Sequence, residues 1–284
     1  MTDTFIVLHG IDTMGFIANI KIIASDTKGA SSSAQRLNIK FKNVASGIMK
    51  RVLAGTITDD QGNTALISHD FFMDTTEVTQ LSYSGVMPSI PNQGNGNVGN
   101  QFPVENVSWF NAVMFCNALS KRANLDTVYA YTGNNANTVV CTWSKNGYRL
   151  PTEDEWELAA KAGENLTYAT NDGLLSCAEA NYGGCHGGTT LAGNYPPNPY
   201  GLHDLTGNVS EWCWDRYQLN PPGRTNGRTD YAGPITTAGG GAQAHSMRGG
   251  SYEDISPTIL ESSYRSSSTA IAISLGFRCV RLAQ

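Results

Sequence analysis

A chain of 284 residues is long enough to bury roughly three quarters of its unfolded surface, so it can build a core without covalent staples. Only 15 % of its residues are charged, its net charge is -5, and no run of Lys or Arg is long enough to track phosphates, which argues against a nucleic-acid partner. No stretch approaches the ~20 apolar residues that cross a bilayer, and the opening MTDTFIVLHGIDTMG has no basic run ahead of an apolar one, so neither a transmembrane segment nor a leader is expected in this chain.

Residues 1–65 read as short strands. FIVLHGI, FIANIKIIASD and QRLNIKFKNV are β-branched or alternating, residues 18–41 look like a hairpin, and AGTITDDQGNTALIS continues the pattern with DQGN as its turn. A β-rich N-terminal region is expected there, abutting a main domain over residues 66–284. In that domain FFMDTTEVT reads as a strand and MPSIPNQGNGNVGNQFPVE as a loop. Trp109, Val113, Cys116 and Leu119 recur at helical spacing behind Ser108 as N-cap. TEDEWELAAKAG predicts a second helix, with Thr152 and Glu155 as a capping box and Gly163 as C-cap.

Beyond residue 165 the chain is rich in Gly, Asn and Pro, with strand-like pieces only at MRGGSY and LGFRCVRL. Long connections of this kind usually carry function. Cys116, Cys141, Cys177, Cys185, Cys213 and Cys279 form no CxxC pair, and His9, His69, His186, His203 and His245 are scattered, so a structural zinc is not expected. Three disulfides and six buried thiols are equally compatible with the count. Between Ser251 and Leu275 there is no Cys, His, Lys, Asn, Gln, Met or Trp, which removes most residues that do chemistry.

FPVENVSWFNAVMFCNALS, NGYRLPTEDEWELAAKAG, NPYGLHDLTGNVSEWCWD and RGGSY with LGFRC follow one another in the order and spacing of the formylglycine-generating enzyme, or sulfatase-modifying-factor, family. The resemblance spans residues 68–284. It implies an α+β domain of the C-type lectin-like fold, with two helices against small sheets and long loops. Active members place two redox cysteines between their Gly-Gly-Ser and Gly-Phe-Arg signatures. Residues 251–278 hold none, and no Ser, Thr or carboxylate replaces a thiolate in that chemistry, so a non-enzymatic member is expected. The resemblance further implies a disulfide between Cys116 and Cys279 and hence an extracytoplasmic protein. It also implies a structural calcium loop in DLTGNVSEW, with carboxylates from Asp204 and Glu211 and carbonyls from Gly207 and Val209. The other reading of that loop, a turn in which Glu211 accepts backbone N–H groups, stays open; no other cofactor is expected. Arg149 with Glu155 is expected to fix a loop to a helix, Arg248, Arg265 and Arg278 to pin the frame, and Trp109, Trp156, Trp212 and Trp214 to fill the core.

An enzyme frame without its nucleophile, closed around a Ser-, Thr-, Ile- and Tyr-rich filling, resembles the variable proteins of diversity-generating retroelements. In these the segment before the Gly-Phe-Arg strand is rewritten by copying a template with mutations at adenines. The filling matches the residue types that such rewriting yields, Glu253 and Glu261 excepted. The resemblance implies a ligand-binding protein, displayed at the cell surface, outside the cell or on a virion, whose partner is a protein or glycan. The expected contact residues are Tyr252, Asp254, Ile255, Ser256, Thr258, Ser262, Tyr264, Ser266, Ser267, Ser268, Ile271 and Ile273. The Tyr residues and Asp254 rank ahead of the Ile residues, which are equally compatible with the core. The alternative is a divergent enzyme of the same fold working around His203, Asp204 and Asp215.

Overall fold

The computed structural model describes residues 47–91, 97–234, 244–269 and 273–283. The hairpin expected in residues 18–41 lies outside them. Three strands open the described chain, β1 (Met49–Val52), β2 (Gly55–Thr58) and β3 (Thr64–Ile67). β2 and β3 form an antiparallel hairpin around DQGN, where Asp59 Oδ1 accepts hydrogen bonds from the N–H groups of Gln61 and Asn63, both at 2.9 Å. Gly62 takes the left-handed backbone that this turn requires, at φ 79°. β4 (Phe71–Asp74) follows as expected.

Helix α1 (Gln80–Val86) is capped by Thr79, whose side chain accepts from Ser82 N–H. It was not expected: seven residues are too few to show an apolar period. α2 (Trp109–Arg122) is capped by Ser108, and Trp109, Val113, Cys116 and Leu119 are all buried. After the small hairpin of β5 (Tyr129–Ala130) and β6 (Val140–Cys141) comes α3 (Glu153–Lys161), opened by the Thr152–Glu155 capping box. Its left-handed C-cap is Ala162, at φ 50°, one residue ahead of the expected Gly163, which continues the turn at φ 72°. The remaining strands are β7 (Ser210–Arg216), β8 (Arg228–Thr229), β9 (His245–Arg248), β10 (Ser266–Ser268), β11 (Leu275–Gly276) and β12 (Val280–Leu282).

Three sheets organise the domain, in the orders β1-β4-β12, β2-β3-β8 and β10-β9-β7-β11. The first two move the boundary expected near residue 65. β1 pairs with β4, and β3 pairs in parallel with β8 more than 150 residues on, so residues 49–67 are hydrogen-bonded into the main domain. All described residues belong to one compact unit, Lys42–Gln284. The α+β character, small sheets and long loops are as expected, with three α-helices in the described residues where two were anticipated.

One apolar cluster gathers around α2, where Tyr83 stacks on Phe115 and both meet Phe277 edge-on. A second gathers around α3, with Trp156, Phe71, Met73 and Leu205. Three of the four tryptophans expected in the core are buried, and Trp214 is half-buried. Their indole N–H groups are satisfied: Trp109 donates to Cys213 O, Trp212 to Val107 O and Trp156 to the Glu211 carboxylate.

α3 is buried along its whole length although five of its nine residues are charged. Each acid meets a cation from elsewhere in the chain. Arg265 Nε donates to Glu153 at 2.7 Å, and Arg228 clasps Asp154 at 2.8 and 2.7 Å. Arg149 forks onto Glu155 at 2.5 and 2.6 Å, and Arg248 donates to Glu157, which also holds Lys161. Burial pushes Glu155 upward, but Arg149 prevails and holds it at about 2. The Arg149–Glu155 pair thus ties a loop to a helix start, as the sequence reading expected.

Candidate functional site: the segment between β9 and β11

Two strands on opposite sides of β7 bracket the segment. Glu211 of β7 is opposite Arg248 of β9 in an antiparallel pairing and opposite Gly276 of β11 in a parallel one. The chain leaves β9 through Gly249 and Gly250, at φ 88° and 64°. A Cβ on Gly249 would lie 2.8 Å from Leu205 O, and one on Gly250 would lie 2.7 Å from Leu260 Cδ2, so this exit admits only glycine. It returns through Ser274, at φ 64°, whose hydroxyl donates to Glu253 at 2.8 Å and so joins the two ends of the segment.

Between these ends some residues anchor and others project. Tyr252 N–H donates to Asn208 O, and its side chain is buried, 6 % exposed. Leu260, on a 3-10 turn over Pro257–Leu260, is fully buried, and Ser262 is 1 % exposed with its N–H on Thr167 O. β10 pairs with β9, which leaves Ser266, Ser267 and Ser268 half-buried. Ser256 and Tyr264 are half-buried and Thr258 is exposed. Ile255 is 81 % exposed and Ile273 42 %. Ile271 lies outside the described residues.

The expected order of contact residues is therefore corrected. Tyr252 and Ser262 belong to the support, both buried with their N–H groups on Asn208 O and Thr167 O. Asp254, ranked first with the tyrosines, is half-buried and accepts from the N–H and hydroxyl of Ser251 at 2.8 and 2.9 Å. Ile255, ranked behind them, is 81 % exposed. Glu253, Pro257 and Thr269 also project, and nothing in residue type marked them.

The frame arginines take the expected roles. Arg248 donates to Tyr264 O at 2.6 Å as well as to Glu157, and Arg265 adds the carbonyls of Gln218 and Leu219 to Glu153. Arg278 donates through Nε and Nη2 to Glu211, and to the carbonyls of Asp74 and His203. Burial raises Glu153, but Arg265 and Arg248 outweigh it and hold the carboxyl below its ordinary range.

Arg278 also decides the calcium loop. Both Glu211 oxygens are engaged by its guanidinium, and one also accepts Trp156 Nε1 at 2.8 Å. A cation on Glu211 would sit against a buried positive charge, so the set Asp204, Gly207, Val209 and Glu211 does not fit calcium. Asp204 uses one oxygen to accept Gly193 N–H at 2.5 Å. Its carboxyl is raised by burial, as is that of the neighbouring Glu77, so the two suit a shared proton.

The alternative catalytic group has no support in these contacts. His203 Nδ1 lies 2.7 Å from Tyr195 O, and Asp215 accepts from Glu153 N–H at the start of α3, at 2.7 Å. Each is held by its own structural partner.

The cysteine expectation is corrected in the same region. Cys116 and Cys279 do meet in the core, but as thiols 3.8 Å apart, well beyond the roughly 2.05 Å of a bond. Cys279 N–H donates to Asp74 Oδ2 at 3.0 Å, and burial pushes that carboxyl up to about 7. The disulfide that is present, Cys177–Cys185, was not foreseen. It closes a loop whose Gly183 lies against Asp254 and Ile255, so a staple stands beside the projecting residues.

Residues 43–283 match the Sulfatase-modifying factor enzyme 1-like domain. Among relatives, the chain is 33 % identical over 181 residues to chaperone protein LppX of Paenibacillus barcinonensis, covering 51 % of this chain and 62 % of that protein. It is 34 % identical over 125 residues to the formylglycine-generating enzyme of Mycobacterium tuberculosis, covering 37 % of this chain and 40 % of the enzyme. The chain thus spans less than two thirds of the length of these curated relatives. Among solved structures it is similar to Treponema denticola variable protein 1, with a TM-score of 0.73 and 29 % identity, over 85 % of this chain and 98 % of that one.

Proposed function

Since the chain belongs to the sulfatase-modifying-factor family yet has no cysteine between its Gly-Gly-Ser and Gly-Phe-Arg signatures, we propose that it is a non-catalytic ligand-binding protein whose diversified surface is the segment between β9 and β11. The observation that carries this reading is the contrast inside the segment. Leu260, Ser262 and Arg265 are tied into the frame, while Ile255, Thr258 and Ile273 project from it. The likeness to a variable protein supports the same reading. The partner is a protein or glycan met outside the cell, at a cell surface or on a virion, and the Cys177–Cys185 disulfide accords with an oxidising compartment. Exposed Ile, Thr and Glu side chains supply apolar contact and adaptable hydrogen bonds.

The test is deep sequencing of codons 250–280 and the flanking DNA from a population of the source. Substitutions confined to adenine positions of a nearby near-copy, concentrated at Ile255, Thr258, Thr269 and Ile273 and absent from Leu260 and Arg265, are the expected result. A uniform segment with no near-copy would overturn the proposal.

A further inference from the structure

On a different part of the domain, a recess of about 320 Å³ opens among β3, the start of α3, β12 and the loops that carry Trp143 and Tyr231. Its volume falls in the range of small-molecule sites. No residue of 251–278 lines it, so it is independent of the surface described above. We propose that this recess binds a small organic cation, an alkylammonium or a guanidinium, against the rings of Trp143 and Tyr231 with Asp230 as counter-charge.

Three observations lead there. The first is aromatic surface at the recess: Trp143, 38 % exposed, and Tyr231, whose hydroxyl donates to Pro222 O, both line it. Trp143 already accepts a cation on its ring, since Arg149 Cζ lies 5.1 Å from its centroid. The second is the balance of charge. Of the three lining carboxylates, Asp154 is clasped by Arg228 and Glu155 by Arg149, whereas the Asp230 side chain is 37 % exposed and, among the described residues, meets donors of Ser68 and the ring of His69 but no guanidinium or ammonium group. The third is His69 itself. Its Nε2 is 2.9 Å from Glu155 and its Nδ1 is 3.2 Å from Asp230, so a protonated imidazole fills the place that a cationic ligand would share.

The groups facing His69 are Glu155 from α3, Asp230 from the β8 loop, Arg149 behind Glu155, and Asp70 beside it in the chain. The hydrogen bond to Glu155 raises its affinity for a proton, with burial and Arg149 opposing. As pH rises and that proton leaves, the recess becomes more negative and takes a cation more tightly.

The experiment titrates the full chain with tetramethylammonium and, separately, with tert-butanol, its neutral isostere, and follows the Trp143 indole N–H resonance, assigned from Trp143→Phe. Expected is a saturating shift with tetramethylammonium alone, with a dissociation constant that falls between about pH 6 and about pH 8.5 and rises about tenfold in Asp230→Asn. Equal responses to the two probes, or affinity unchanged both by pH and by Asp230→Asn, would overturn it. The wild-type comparison of probes stands even where the variant folds poorly.

Discussion

α3 and the segment 251–274 lie in one domain and solve opposite problems. α3 has five charges in nine residues and is wholly buried, because each acid is answered by a cation from outside the helix. The segment has fewer charges for its length than α3, and Ile255, Thr258 and Ile273 project from it. Where every side chain has a partner, sequence is fixed by the cost of leaving one unpaired. Where side chains project, sequence is free.

The largest effect should come from cutting the frame. Arg278→Ala leaves Glu211 buried without its guanidinium, and chemical denaturation should register a loss of about 3–5 kcal/mol. Close behind, Leu260→Ala removes the anchor inside the segment and should cost roughly 2–5 kcal/mol in the same assay. These two outcomes would place the anchors energetically with the frame. A loss below about 1 kcal/mol at Leu260 would dissolve that distinction.

Acid should act on the frame as well. Burial pushes His245, stacked 3.6 Å from Trp109, down to about 4, so the native state disfavours its charged form. Its contribution is present above the ordinary His value near 6.5 and is lost as pH falls from there to about 4. Melting wild type and His245→Phe side by side should give a difference that changes over that window, on the order of 3 kcal/mol. Glu155, held near 2, acts lower, with stability lost as pH falls from about 4.5 toward 2.

Opening the staple should cost somewhat less. Cys177 and Cys185 are eight residues apart, and replacing both by Ser should lower stability by roughly 2–3 kcal/mol through the freed unfolded chain. Amide exchange should rise at residues 181–184 and 254–255 before it rises in α3. The smallest effect belongs to the projecting residues. Ile255→Ser and Thr258→Ala should each stay within about 0.5 kcal/mol of the parent.

Local chemistry was legible where it is local. Thr152 and Glu155 announce α3, the spacing of Trp109, Val113, Cys116 and Leu119 gives α2, and DQGN marks the β2–β3 turn. β7 was not legible. SEWCWDR is buried on both faces in the middle of its sheet, so it lacks the alternation of a half-buried strand. Apart from Arg149 on Glu155, neither were the partners of α3: Arg228 is 74 residues from Asp154, and no spacing rule joins them. Within the candidate site, composition marked the segment as chemically quiet, but burial could not be read from it. Tyr252 and Tyr264 look alike in sequence, yet the fold buries one and leaves the other half-buried.

The pairing of β9 and β11 to opposite edges of one residue, Glu211, also governs how long the segment can be. Its ends are held two strand spacings apart, roughly 10 Å, whatever lies between them. Closing a flexible loop costs only about 0.6 kcal/mol more for each doubling of its length. Extra residues inserted between Glu253 and Thr258, ahead of the Leu260 anchor, would lengthen the loop without disturbing β7. The frame therefore tolerates insertion as well as substitution, and relatives built this way can differ in loop length at the very place where they differ in residue type.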